Sequence, residues 1–267
     1  MFKAAFIDMD GTMLTKSHTI SDSTIQTIDR LSKQGILIVP ISARPLHGMM
    51  HIIENVISKD TPIVSLNGGY IYHHGKIIYQ INIPSDKATL VHNAIDNLTV
   101  SAMYYTQMDW HAKEHTDAIT KEQKITPVSI TIQPFGNTLS DWEKAETGPN
   151  KILIAGNEQL ILLLEKQLIS LFGDSLNIYK SQPKYLELMH PDASKTKAMQ
   201  LLMQHYGLQQ HETVAIGDNY NDKGMIEFAG AGVAMGNAPA SIKAVANYVT
   251  DTNNNDGVAK ALVHYFG

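Results

Sequence analysis

The chain has 267 residues, of which 43% are hydrophobic and 18% charged, with a formal net charge of −5; this is apolar material enough for two modest cores and excludes a disordered chain. No block of lysine or arginine offers the basic face that tracks a nucleic-acid backbone, and no apolar run approaches the roughly 20 residues of a membrane helix. The absence of cysteine excludes disulfides, thiolate metal sites and cysteine nucleophiles.

Phe2 to Ile7 is a short apolar run, read as a strand that ends abruptly at Asp8. Two carboxylates within the first ten residues do not suit a signal peptide, so the expectation is a cytoplasmic globular protein. Ser21 or Ser23 can cap a helix whose Ile25, Ile28 and Leu31 share a face, with Gly35 as its stop. Ile36 to Ile41 is a continuous aliphatic run, typical of a strand covered on both faces. A helix follows Pro45, about Leu46 to Ile57, and then a third strand, Pro62 to Asn67. Strands and helices alternating through short connections predict an α/β fold with a doubly wound parallel sheet. Tyr70 to Ile83 reads as a hairpin turning at Gly75-Lys76.

The middle of the chain changes texture. Short strand-like pieces (Ser101 to Tyr105, Ser129 to Ile132, Lys151 to Ala155, Leu176 to Lys180, Tyr185 to Leu188) are joined by helical runs near Asp86 to Asn97 and Glu158 to Phe172. This predicts a separate α+β domain over residues 84–187, inserted into a sheet domain made of 1–83 and 188–267. The first grammar then returns, with a helix from about Ser194 to Tyr206 stopped by Gly207 and a strand from Thr213 to Ile216. A further helix, a strand from Gly232 to Met235, a helix near Pro239 to Ala246, a weak strand from Tyr248 to Thr250 and a closing helix from Gly257 to Phe266 complete it.

Asp8, Asp10 and Thr12 follow the first strand, and ligands bind at such strand ends in open parallel sheets. Asp-x-Asp-Gly also opens a calcium loop, but that loop needs glycine at its sixth position and glutamate at its twelfth. Here the glycine is fourth and the twelfth residue counted from Asp8 is Thr19, so the calcium reading fails. Asp218 follows another strand, and Asp222 lies one helical turn beyond it, able to face the same spot. Helix caps or turn residues are the bland alternative for either pair alone. Should both strand ends border one cleft, four carboxylates converge and require a cation. Oxygen donors without histidine or cysteine favour a hard ion, for which Mg²⁺ is the usual choice in phosphate chemistry. Ser42, after the second strand, and Lys195, in the first turn of a helix, supply a hydroxyl and an ammonium that could meet phosphate oxygens.

Asp8-Met9-Asp10-Gly11-Thr12, Ser42, Lys195 and Gly217-Asp218-x-x-Asn221-Asp222 together resemble the four motifs of the haloacid dehalogenase superfamily. Val233-Ala234-Met235-Gly236-Asn237-Ala238 and Asp256-Gly257-Val258-Ala259 are similar to its Cof-type hydrolase branch, and the likeness runs in order along the whole chain. The resemblance implies a Mg²⁺-dependent phosphatase acting on a small phosphorylated metabolite, such as a sugar phosphate or phosphorylated cofactor. In it Asp8 is the nucleophile that becomes an aspartyl phosphate, and Asp10 the acid and then the base. Mg²⁺ is held by Asp8, the Asp10 backbone carbonyl and Asp218, with Asp222 orienting its water. Thr12, Ser42, Lys195 and Asn221 bind phosphate. One departure stands out: relatives often read Thr-Gly-Arg where this chain has Ser42-Ala43-Arg44, which keeps the hydroxyl and adds a methyl.

The insertion between Ser42 and Lys195 resembles the larger α/β cap of that branch, which would exclude water and select the rest of the substrate. Within it, Met103 to His115 carries Tyr104, Tyr105, Trp110 and His111, for which packing is the simpler reading. His73 and His74, as strand neighbours, are expected to point to opposite faces and not to chelate together. A phosphomutase, or a phosphometabolite-binding regulator without turnover, are the competing readings. No apolar patch argues for more than a monomer or weak homo-oligomer.

Overall fold

A computed structural model of the chain describes residues 1–107, 109–125 and 129–267; Met108, within the segment 103–115 for which packing is the simpler reading, lies outside them. The elements in chain order are β1 (Ala4–Asp8), α1 (Asp22–Lys33), β2 (Leu37–Ile41), α2 (Leu46–Ile53), β3 (Ile63–Ser65), β4 (Tyr70–His73) and β5 (Lys76–Gln80). There follow α3 (Ser85–Ile95), β6 (Ser101–Thr106), β7 (Asp109–Ala112), α4 (Asp117–Ile125), β8 (Thr131–Ile132), α5 (Phe135–Lys144), β9 (Lys151–Ala155), α6 (Glu158–Phe172), β10 (Asn177–Gln182) and β11 (Tyr185–Met189). The last are α7 (Lys195–Tyr206), β12 (Thr213–Gly217), α8 (Lys223–Phe228), β13 (Ala231–Ala234), α9 (Ala240–Lys243), β14 (Tyr248–Val249) and α10 (Gly257–Phe266).

The chain divides into two compact units, residues 1–44, 49–78 and 194–267 in the first, and 45–48 and 79–193 in the second. The first unit is built on a sheet of order β14-β13-β12-β1-β2-β3-β4-β5. Its first six strands in that order run parallel, Ala4 to Ile7 pairing with Thr213 to Ile216 on one side and with Leu37 to Pro40 on the other. Ala4, Ala5, Phe6 and Ile7 are fully buried, as expected of a central strand covered on both faces. Every parallel strand delivers its C-terminal residue to one edge of the sheet, so Asp8, Ser42 and Asp218 arrive together. Ser21 caps α1 as the sequence suggests, accepting from Thr24 N, and Gly207 ends α7 in the left-handed conformation; Ser194 caps α7 by accepting from Lys197 N.

Two local readings needed revision. The third strand stops at Ser65, because Leu66, Asn67 and Gly68 all take positive φ and form a tight 3-10 turn. His73 and His74 do not point apart; His74 leaves the strand conformation with φ 49°, and the two rings lie 3.9 Å apart.

The second unit has a sheet of order β10-β11-β9-β6-β7-β8. It is antiparallel except where β7 meets β8. One face carries Tyr104, Ile152, Ile154, Leu186 and Leu188, which pack with Val91, Trp142, Ile161 and Leu164 of α3, α5 and α6. The sequence-based boundary at 187/188 cuts through β11, all five of whose residues pair with β9 inside this unit. No helix among the described residues is long and apolar enough to cross a membrane.

Candidate active site

Asp8 ends β1 with its side chain almost wholly buried. The chain then turns tightly: Met13 N donates to Asp8 O (3.1 Å), and Thr12 N (3.2 Å) and Leu14 N (2.8 Å) both donate to Met9 O. Gly11 takes φ 83° inside this turn, and a methyl group there would collide with the Asp218 carboxylate. Glycine serves here both for its backbone freedom and for its lack of a side chain. Thr12, also buried, donates from Oγ1 to Asp218 Oδ1 at 2.9 Å. Both Thr12 donors are thereby used within the protein, so this residue, expected to bind phosphate, instead fixes Asp218.

Lys195 begins α7 and is 1% exposed. Its ammonium donates to Asp8 Oδ1 and, at 2.5 Å, to Asp222 Oδ1. The other Asp222 oxygen accepts from Asp218 N and Asn219 N, each at 2.9 Å. That pairing puts Asp222 one tight turn beyond Asp218, as the spacing predicted, but commits both its oxygens. Asp222 is therefore the anchor of Lys195 and of the turn, more than a free ligand.

Ligand oxygens of Asp8, Asp218 and Asp222 lie within 4.8 Å of one another. Burial first, and then the charges of Asp222 and Asp218, push the Asp8 carboxyl well above the ordinary aspartate value, against the pull of Lys195. Asp218 is pushed up to about 6, by burial and then by Asp222. Burial would lower the Lys195 ammonium, yet the charges of Asp222 and Asp8 reverse this and hold it above the ordinary lysine value. Three carboxylates thus face one ammonium, and two of them hold protons more tightly than is usual. An arrangement of oxygen donors with excess negative charge fits a hard divalent cation such as Mg²⁺, which the Asp8 and Asp218 side chains could hold.

Asp10 lies outside this cluster. Its carboxylate is 45% exposed and accepts a two-pronged bond from buried Arg44, with Nε to Oδ2 at 2.7 Å and Nη2 to Oδ1 at 2.6 Å. His18 Nδ1 stands 3.3 Å from the same guanidinium. Ser42 N donates to Val64 O (2.9 Å), and Ser42 Oγ accepts from Arg44 N (3.1 Å). A hydroxyl that accepts in this way keeps its own proton to donate. Asn221 Nδ2 donates to Asn67 Oδ1 at 2.9 Å. Asn237 Nδ2 donates to Gly11 O at 2.8 Å and approaches Asp218 Oδ2 at 3.3 Å.

The structure therefore brings Asp8, Thr12, Lys195, Asp218 and Asp222 into one bonded group and sets Asp10 beside it on a separate cation. Arg44, Asn67 and Asn237 are site residues to which sequence reasoning gave no role. Arg44 stood two positions after Ser42, and Asn67 stood before Gly68-Gly69 at the end of a predicted strand. Those placements at a strand's C-terminal end were the available signal.

A buried carboxylate, an ammonium and a carboxylate cluster suited to a cation thus sit together at the C-terminal edge of a parallel sheet. The whole chain compares accordingly. A family model for haloacid dehalogenase-like hydrolases matches residues 5–262. A Haemophilus influenzae protein, provisionally named a phosphatase, is 38% identical over 100% of this chain and 99% of its own. The 5-amino-6-(5-phospho-D-ribitylamino)uracil phosphatase of Bacillus subtilis is 27% identical over 97% of this chain and 96% of its own. Among solved structures, a haloacid dehalogenase-like hydrolase from Bacteroides thetaiotaomicron superposes with a TM-score of 0.88 at 30% identity, over 100% of both chains. The chain belongs to the haloacid dehalogenase-like hydrolase family. Within it, the chain is an enzyme of the phosphatase type, a phosphoric monoester hydrolase.

Proposed function

We propose that this enzyme hydrolyses the phosphomonoester of a small metabolite through an aspartyl phosphate on Asp8, with Mg²⁺ held by Asp8, the Asp10 carbonyl and Asp218. The observation that carries this reading is the buried Asp8 carboxylate bonded to Lys195 while Asp10, two residues on, belongs to Arg44. An Asp8 oxygen attacks phosphorus as the bond to the leaving oxygen breaks, and Asp10, protonated and turned from the Arg44 guanidinium that holds its ionised form, gives that oxygen its proton. Asp10 then takes a proton from water, whose oxygen attacks the phosphoryl group and frees Asp8 and inorganic phosphate. Ser42, Lys195 and Asn221 hold the phosphoryl oxygens, while Thr12 and Asn237 keep Asp218 in place. Bound Mg²⁺ offsets the charge that would otherwise keep an anionic nucleophile from an anionic phosphate.

The inserted unit, residues 79–193, is proposed to select the organic part of the substrate. Similar proteins carry names with different substrates, one a phosphoribitylaminouracil and another HMP-PP, so the reading stays at small organic phosphate esters. Phosphate release from a panel of phosphorylated metabolites and an aryl phosphate, with Mg²⁺ or EDTA, tests it in wild type and Asp8→Asn. Release that needs Mg²⁺ and is lost by a factor on the order of 10⁴ in Asp8→Asn supports the mechanism. A folded, Mg²⁺-loaded wild type that releases nothing from any member refutes it.

A further inference from the structure

The turn at Leu66–Gly68 meets three parts of the site at once. Leu66 N donates to Arg44 O (3.0 Å) and Asn67 N to Ser42 O (2.9 Å), which fastens the turn to the loop after β2. Gly68, at φ 92°, packs so closely on the Ser194 carbonyl that a methyl group would collide with it, which fastens the turn to the start of the Lys195 helix. The third tie is the side-chain bond from Asn221 Nδ2 to Asn67 Oδ1, 2.9 Å long. Leu66 and Asn67 take φ 49° and 53° to make this possible. A bulky leucine in the left-handed region is uncommon, and such strain persists only where surrounding structure enforces it. Asn67 itself is 4% exposed.

A carboxamide has a donor end and an acceptor end of nearly equal shape, so its orientation is set by its neighbours. An asparagine that binds a phosphate oxygen must present N–H; turned the other way, its carbonyl faces an anion. The Asn67 oxygen accepts one hydrogen of Asn221 Nδ2 and so holds that amide in the donor-presenting orientation. We propose that Asn67 is a positioning residue for phosphate binding, acting through the carboxamide of Asn221. The proposal rests on the phosphatase reading above.

The variant that isolates the side chain is Asn67→Gly, because glycine takes φ 53° without strain and keeps the turn. An unchanged melting temperature confirms that the turn survives. With an aryl phosphate as substrate and inorganic phosphate as competing inhibitor, Asn67→Gly raises KM and the phosphate inhibition constant together. The expected size is about threefold to tenfold, the worth of one hydrogen bond, with kcat changed much less. In the Asn221→Ala background, the same Asn67→Gly change adds nothing to either constant. Equal effects in both backgrounds assign Asn67 to the fold or to direct contact and overturn the proposal, as does an unchanged inhibition constant. These outcomes are separable from failure of the phosphatase reading, which shows as a wild type without turnover or an Asp8→Asn variant that keeps it.

Discussion

Asp8 and Asp10 stand two residues apart, yet they occupy different electrostatic regions. Asp8 is buried beside an ammonium and two further carboxylates, and its own carboxyl is pushed well above the usual range by that burial. Asp10 is 45% exposed and held in two-pronged fashion by the Arg44 guanidinium. The alternation of side chains near a strand end sends neighbours of this spacing the same way only while the strand continues, and here it ends at Asp8. The turn through Gly11 is what separates the two carboxylates. Charge neutralisation is therefore divided: Asp8 shares a buried ammonium with Asp222, whereas Asp10 at the rim is held by a separate guanidinium.

This contrast breaks most visibly at Lys195. Replacement by methionine leaves Asp8 and Asp222 buried without their cation, and an uncompensated buried charge costs about 3–5 kcal/mol. Urea unfolding without metal is expected to show that loss, with part of it recovered on adding Mg²⁺. Arg44→Lys sharpens the same contrast from the other side. Lysine keeps the charge beside a partly exposed partner, so stability falls less than in the Lys195 variant, while kcat/KM falls about tenfold because lysine cannot reproduce the two-pronged bond. Equal destabilisation by the two variants would remove the distinction.

The smallest effect is the pH dependence of the metal-free protein. Asp218 has a folded value of about 6, above its unfolded value of about 4. A raised value means that its contribution is full below the unfolded pKa and is lost as pH rises through the folded one. The metal-free protein is therefore expected to lose melting temperature from this group between about pH 4 and pH 6, and Asp218→Asn to flatten that part of the profile. Mg²⁺, which needs deprotonated carboxylates, stabilises increasingly over the same interval.

Most of the first unit was legible because its signals are local and agree. Ile36 to Ile41 reads as an aliphatic run and became β2, and Gly207 ended α7. The acidic motifs were legible because strand ends of a parallel sheet must share an edge. What escaped was set by contacts distant in sequence. Asn67 looked like the end of a strand, and only its bonds to Ser42 and Asn221 make it part of the site. The second unit was read more coarsely: β7, α4 and α5 gave weak patterns, since segments such as Asp109–Ala112 and Asp117–Ile125 are short and largely polar. Thr12 was assigned to the ligand on motif alone, whereas its hydroxyl is used by Asp218.

The most direct test of Asp8 as nucleophile is the mass of the protein acid-quenched after mixing Asp10→Asn with an aryl phosphate and Mg²⁺. An aryl oxide leaves without a proton from Asp10, but the water that frees Asp8 still needs a base, so the covalent state accumulates. The account predicts one aryl alcohol released per enzyme and a phosphoryl group on the peptide that carries Asp8. A wild type that turns over, paired with a variant that shows neither the burst nor phosphate on Asp8, would contradict it.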